Sequence, residues 1–226
     1  GHCTAVCPVL RERPQSSMPA VFAAWNRNDE IRRDSTSGGV FTALAEQVLS
    51  AGGEVWGAAF DENLRVVHRP ARTVEELAPL RQTKYVQSDL TGVFRQVAAA
   101  LDGGRQVLFT GTPCQVAGLK AYLGGDRDNL LTCDLVCHGV PSPGVWEDMA
   151  RSLEARGQQP LQAVRFRNKV AGWKDSHFTA VYGDGTVDTA PLFRTEYGRA
   201  FGRALFLRPS CYRCPYASMT RVGDLT

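Results

Sequence analysis

Between residues 20 and 155, short apolar runs alternate with longer runs whose apolar residues recur at helical spacing. That alternation constrains the fold more than any other feature, because strand followed by helix favours parallel pairing in an α/β sheet. Ala20–Trp25 reads as a first buried strand. The loop Asp34–Gly39 precedes a helix with Val40, Phe41, Leu44, Ala45, Val48 and Leu49 on one face, stopped by Gly52 and Gly53. Glu54–Phe60 and Leu64–His68 read as strands joined by an Asp-Glu-Asn turn. Thr73 with Glu76 makes a capping box for a short helix, and Arg81–Ser88 is a polar loop bearing an aromatic residue. A helix over Leu90–Leu101, a strand over Gln106–Thr110 and a helix over Pro113–Leu123 follow. A strand over Leu130–Val136 and a helix over Pro143–Ala155 complete the series.

After residue 160 the pattern changes. Val164–Arg167, Phe178–Tyr182 and Thr186–Ala190 read as short strands, with Gly183-Asp184-Gly185 as a hairpin turn. The fold class is therefore α/β, a mixed and partly parallel sheet flanked by helices, with a short antiparallel addition in the C-terminal third. Arg199–Leu207 reads as a last helix.

Seven cysteines make an odd number for a disulfide framework, and the first residues carry no secretory signal pattern. No apolar run approaches the roughly 18 residues that span a bilayer. The net charge of +3 is ordinary, and no clustered basic face argues for nucleic acid. These readings place the chain in the cytoplasm, where clustered cysteines bind metal or perform redox chemistry.

The segment Val107–Gln115 runs strand, tight turn, helix start. Thr112 suits the N-cap, Pro113 the first helical position, and Cys114 the first turn, where free N–H groups favour a thiolate. Cys137 lies just past the next strand. If the two strands are parallel neighbours, Cys114 and Cys137 emerge at the same carboxyl edge, where ligands bind in open α/β sheets. Cys211-Tyr212-Arg213-Cys214-Pro215 supplies a C-x-x-C pair, a spacing that lets two thiolates share one metal centre. Four soft ligands can then meet at one metal centre, for which an iron–sulfur cluster is the first expectation. A non-catalytic zinc module held by the same four cysteines and a thiol enzyme using Cys114 are the competing readings. Cys133, with apolar neighbours inside its strand, reads as core.

Gly1-His2-Cys3 through Cys7-Pro8 fits the second half of the bacterial ferredoxin run C-x2-C-x2-C-x3-C-P. Residues 1–8 are expected to be the end of a ferredoxin-like 4Fe-4S module, with Cys3 and Cys7 as its ligands. Residues 9–18 read as a linker, and residues 19–226 as one further domain cut at its C-terminus.

Ser35-Thr36-Ser37-Gly38-Gly39, Lys84-Tyr85-Val86-Gln87-Ser88, Gly111-Thr112-Pro113-Cys114-Gln115, Cys137-His138-Gly139 and Cys211-x-x-Cys214-Pro215 occur in that order. Together they resemble the beta subunit of coenzyme F420 hydrogenase/dehydrogenase over most of residues 20–226. The resemblance implies an FAD-containing iron–sulfur oxidoreductase subunit. Such a subunit passes electrons between a hydride carrier, coenzyme F420 or another, and 4Fe-4S clusters serving ferredoxin or a partner protein.

The chain has no G-x-G-x-x-G after a strand, so a flavin would be held in another way. Ser35, Thr36, Ser37, Gly38 and Gly39 precede a helix start that suits a phosphate or a plain cap, and the resemblance favours the flavin pyrophosphate. It likewise implies that Lys84 and Tyr85 offer the cofactor a cation and a stacking ring. Thr112 and Gln115 would touch the isoalloxazine or orient the cluster. Arg165, Phe166, Arg167, Lys169, Gly172, Trp173 and Lys174 form a basic, aromatic stretch able to receive an acidic coenzyme tail. No side chain is required as an acid–base catalyst, and His138 either tunes the cluster or is structural.

Overall fold

The computed structural model describes residues 19–218 and 220–226. Two sheets organise them. The first contains β1 (Glu54–Phe60), β2 (Val66–Ala71), β3 (Val107–Gly111) and β4 (Leu130–Asp134), in the order β2-β1-β3-β4. β1, β3 and β4 are parallel, and β2 folds back antiparallel on β1. The second sheet is an antiparallel meander of β5 (Leu161–Asn168), β6 (His177–Tyr182) and β7 (Val187–Pro191). The expected fold class is the observed one, and the antiparallel addition is a sheet of its own. The helices are α1 (Asp29–Asp34), α2 (Val40–Ser50), α3 (Val93–Asp102), α4 (Pro113–Leu123), α5 (Pro143–Gly157) and α6 (Glu196–Gly202). Among the described residues, no helix is long and apolar enough to cross a membrane.

The parallel sheet is apolar on both faces, as a central sheet between helices must be. One face packs Val55, Ala59 and Leu108 against α2. The other packs Trp56, Val107 and Phe109 against Val97 of α3 and Val116 and Leu119 of α4. The antiparallel sheet buries an aromatic cluster instead, with Trp146, Phe166, Phe178, Tyr182 and Tyr197 at its centre. Trp146 of α5 also ties the two halves together, since its indole N–H donates to the Leu64 carbonyl at 2.7 Å.

Several sequence expectations are corrected. Ala20–Trp25 is not a buried strand: no strand forms there, and Phe22 is 85% exposed. The segment is tied down just beyond its end, where the Asn26 N–H bonds the Gly38 carbonyl. β2 starts at Val66 rather than Leu64 because Asp61 caps the hairpin, accepting from the N–H groups of Asn63 and Arg65. The helix expected from Leu90 starts at Val93, because Asp89 forms a side-chain turn with Thr91. β4 ends at Asp134, whose carboxylate accepts from the N–H groups of Val222 and Gly223 and from the hydroxyl of Thr226. The helix expected over Arg199–Leu207 is α6, shifted to Glu196–Gly202 by the Thr195 cap on the Gly198 N–H.

Candidate functional site

β3 and β4 are parallel neighbours in register, Gly111 facing Asp134. Cys114 and Cys137 each follow three residues beyond those strand ends, so both emerge at the carboxyl edge. Locally, Thr112 caps α4 with Pro113 in its first turn, and Gln115 closes the capping box by accepting from the Thr112 N–H at 2.9 Å. The Thr112 hydroxyl then lies 3.2 Å from Cys114 Sγ, and the Gln115 amide donates to Ser88 Oγ at 2.8 Å.

Cys211 and Cys214 arrive from the other half of the molecule. The short 3-10 turn Pro209–Arg213 carries Cys211, and the Cys214 N–H bonds the Cys211 carbonyl. The segment before it docks on the loop after Cys137: Leu207 bridges Pro141, and the Arg208 N–H donates to the Val140 carbonyl at 2.9 Å. Gly139 makes this approach possible. Its φ of 136° suits glycine, and a Cβ there would fall 2.5 Å from Leu207 Cδ1. His138 is spent in the same junction, its Nε2 3.2 Å from the Phe201 carbonyl and its ring edge-on to Phe201.

The four thiols therefore share one neighbourhood. Burial pushes the Cys137 thiol up, and Cys114, Cys211 and Cys214 each push it further in the same direction. Cys114 and Cys137 are exposed, and Cys211 and Cys214 are half-buried. Among the described residues, no three Cys, His, Asp or Glu side chains stand close enough to hold a single metal ion. Cys114, Cys211 and Cys214 are thus each within electrostatic reach of Cys137. Cys133 differs: it packs beneath the sheet with the apolar core, and burial raises its thiol to about 11. Cys3 and Cys7, with the expected ferredoxin remnant and linker, lie outside the described residues.

A second feature is a cleft of about 520 Å³ lined by Ala24, Asp29, Arg32, Arg33, Ser37, Gly38, Lys169 and Trp173. It joins two motifs 130 residues apart, because Lys169 donates to the carbonyls of Arg32 and Ser37 at 2.8 and 2.7 Å. Ser37 is exposed to it. Ser35 and Thr36 are committed elsewhere, Ser35 Oγ donating to the Ile31 carbonyl and Thr36 Oγ1 accepting from the Thr83 N–H. Gly39 precedes α2, whose N-terminus has no side-chain cap. Sequence patterning does not single out Arg32 and Arg33. The available signal is the arginine pair itself, placed just ahead of the Ser37-Gly38 turn.

Thr83–Ser88 links the cleft to the cysteine edge. Thr83 holds Thr36 at one end, while Gln87 holds the Pro141 carbonyl and Ser88 accepts from Gln115 at the other. Within it, Lys84 donates to the carbonyls of Pro79, Arg81 and Gln82, and burial lowers its ammonium to about 7. Tyr85 packs its ring on Phe166 and Phe201. Both side chains are turned into their own surroundings, which makes them braces of the loop.

Residues 21–95 match the family model described as coenzyme F420 hydrogenase/dehydrogenase, beta subunit N-term. Residues 104–226 match the model for the C terminus of the same subunit. The chain belongs to the coenzyme F420 hydrogenase/dehydrogenase beta-subunit family. A chain in a solved structure, the xenon-derivatised F420-reducing [NiFe] hydrogenase complex from Methanosarcina barkeri, shares the fold at a TM-score of 0.55 and 22% identity. The alignment covers 84% of this chain and 63% of that one, so this chain spans under two thirds of its relative's length. No curated protein sequence matched. The two family matches meet across the β2–β3 connection, so each contributes one part of the site. The N-terminal part carries Arg32, Arg33 and Ser37 of the cleft and the Lys84–Ser88 loop, and the C-terminal part carries Lys169 and Trp173 of the cleft and all four thiols.

Proposed function

We propose that this chain is an electron-transferring oxidoreductase subunit in which Cys114, Cys137, Cys211 and Cys214 hold a 4Fe-4S cluster and the Arg32–Lys169 cleft holds the anionic part of FAD. When bound, the two groups supply the exchange between a hydride's electron pair and single electrons. The hydride carrier is coenzyme F420 or a related coenzyme, and the electron partner is a ferredoxin or a partner subunit in the cytoplasm. Residues 1–8 would be the end of a ferredoxin-like 4Fe-4S module, 9–18 a linker, and 19–226 the flavin and iron–sulfur domain.

The observation that carries this reading is the docking of Leu207 and Arg208, just ahead of Cys211 and Cys214, on the loop after Cys137, at the sheet edge that also carries Cys114. Four sulfurs are a donor set for zinc or for an iron–sulfur cluster. A single zinc with Zn–S bonds of about 2.3 Å draws its sulfurs to within roughly 4 Å of each other. The Thr112 hydroxyl, 3.2 Å from Cys114 Sγ, stands where it could donate to that sulfur as a metal ligand. In the cleft, Arg32, Arg33 and Lys169 would counter a pyrophosphate, with Ser37 Oγ and the α2 N-terminus as further donors. Trp173 offers a ring at the rim.

Anaerobic purification of the full-length protein tests the proposal. A brown protein that bleaches with dithionite, contains iron and acid-labile sulfide, and releases FAD on acid denaturation is the expected result. A colourless protein with stoichiometric zinc would sink it in favour of the structural zinc reading. An intact cluster in Cys114→Ser combined with lost turnover would instead favour Cys114 as a nucleophile.

A further inference from the structure

Between Glu196 and Asp224 the sequence contains five arginines and neither aspartate nor glutamate. This is the stretch that carries Cys211 and Cys214. One of the five, Arg221, is spent on the buried Asp134 at 2.6 Å. Arg203, Arg208 and Arg213 are exposed, and none is within ion-pair distance of a described carboxylate. A basic stretch of this kind beside a chain of near-neutral overall balance is a local field and not a reflection of composition.

Apolar side chains accompany the charge. Leu205 is 67% exposed and Tyr212 is 56% exposed, while Val136, next to Cys137, is 86% exposed. Tyr212 is fixed in place, its hydroxyl donating to the Ala204 carbonyl at 2.6 Å. That bond places the 203–205 turn against Tyr212, so Arg203, Leu205, Tyr212 and Arg213 are neighbours around the C-x-x-C pair. An exposed apolar centre with a charged rim is the arrangement of a protein-docking surface, and a pre-fixed aromatic lowers the ordering cost of binding.

We infer that this surface is the docking site of an acidic one-electron carrier protein, received directly over Cys211 and Cys214. The inference rests on the proposed cluster and adds the partner's charge and its landing place. Complementary charge would steer encounter and place the carrier's redox centre on the shortest line to the four thiols. Electrons pass singly between the carrier and the bound cluster, with no bond made or broken in the protein. A cluster ligated by four thiolates is itself anionic, so the arginines have a competing role in balancing its charge, and the test separates the two.

Stopped-flow reduction of the full-length, cofactor-loaded protein by a purified acidic ferredoxin is the measurement, with dithionite as a small-molecule reductant. The second-order rate with ferredoxin is expected to fall at least tenfold between 0.02 and 0.5 M salt, on the order seen for electrostatically steered association. Arg208→Glu and Arg213→Glu together should slow it at least tenfold at low salt, with the dithionite rate and the cluster midpoint potential unchanged. A salt-independent wild-type rate would overturn the inference without needing any variant. Equal slowing with both reductants, together with a shifted potential, would also overturn it and assign the arginines to the cluster's charge. If dithionite bleaches no cluster in the wild type, the functional proposal fails and this inference with it. A cluster that bleaches while ferredoxin reduction ignores salt and charge defeats the docking site alone.

Discussion

The two ends of the parallel sheet treat polar groups in opposite ways. At the amino end, Glu54 opens β1 in near-complete burial, yet every demand it makes is met. Its carboxylate accepts from the Trp56 indole at 2.7 Å and from Arg72 and Arg105, each at 3.1 Å. At the carboxyl end, Cys114 and Cys137 are exposed thiols and His68 is incompletely paired. His68 Nε2 is 2.9 Å from the Thr110 carbonyl, while its Nδ1 is the one buried side-chain nitrogen or oxygen without a partner among the described residues. A closed polar network serves stability, and an open one leaves groups free for a ligand.

The comparison breaks if the amino end proves dispensable. Arg72→Ala with Arg105→Ala would leave Glu54 buried with only Trp56 beside it, a loss of about 3–5 kcal/mol. Urea unfolding should show it, and the iron and flavin content of the folded fraction should stay at the wild-type level. Cofactor loss at unchanged stability would erase the distinction between the two ends.

Acid sharpens the other side. Burial holds His68 at about 4, well below its usual value near 6.5. Its folded pKa is the lower one, so the unfolded chain binds the extra proton in that interval. The stability His68 contributes is therefore present above pH 6.5 and lost as pH falls from 6.5 towards 4. The loss is about 3 kcal/mol across that window. Urea midpoints at pH 7 and pH 4.5 should differ accordingly, and His68→Phe should flatten the difference. An unchanged pH profile in that variant would place the titration elsewhere.

A smaller effect is expected in the cleft. A Cβ at Gly38 would lie 2.9 Å from the Ala24 carbonyl oxygen, so Gly38→Ala forces the backbone apart. The cost should be about 1–3 kcal/mol by thermal melting, with weaker flavin retention and intact iron. Equal loss of iron and flavin would mean that the cleft and the cysteine edge are not separable.

Much of the cysteine edge was legible in the sequence because its placement follows from backbone rules. Parallel neighbours put Cys114 and Cys137 at one edge, Thr112-Pro113 sets a helix start, and C-x-x-C is a local spacing. What was hidden depends on side chains meeting across long separations. Asp134 inside an apolar strand was the visible trace of the returning segment Arg221–Thr226, which pairs with it through Arg221, Thr226 and two N–H groups. No periodicity reports that Lys169 reaches Ser37, or that Lys84 and Tyr85 turn inward. Ala20–Trp25 is apolar without being buried, because an apolar run without pairing partners is free to lie on the surface.

Of the five described cysteines, four are proposed to form one site, and the fifth, Cys133, packs with the apolar core. Iron and sulfide counts with EPR of the dithionite-reduced, anaerobically purified protein test it across single Cys→Ser variants. Cys114, Cys137, Cys211 and Cys214 should each lose the same cluster signal and its iron, while Cys133→Ser keeps both. Full iron and an unaltered signal in Cys137→Ser would contradict the account.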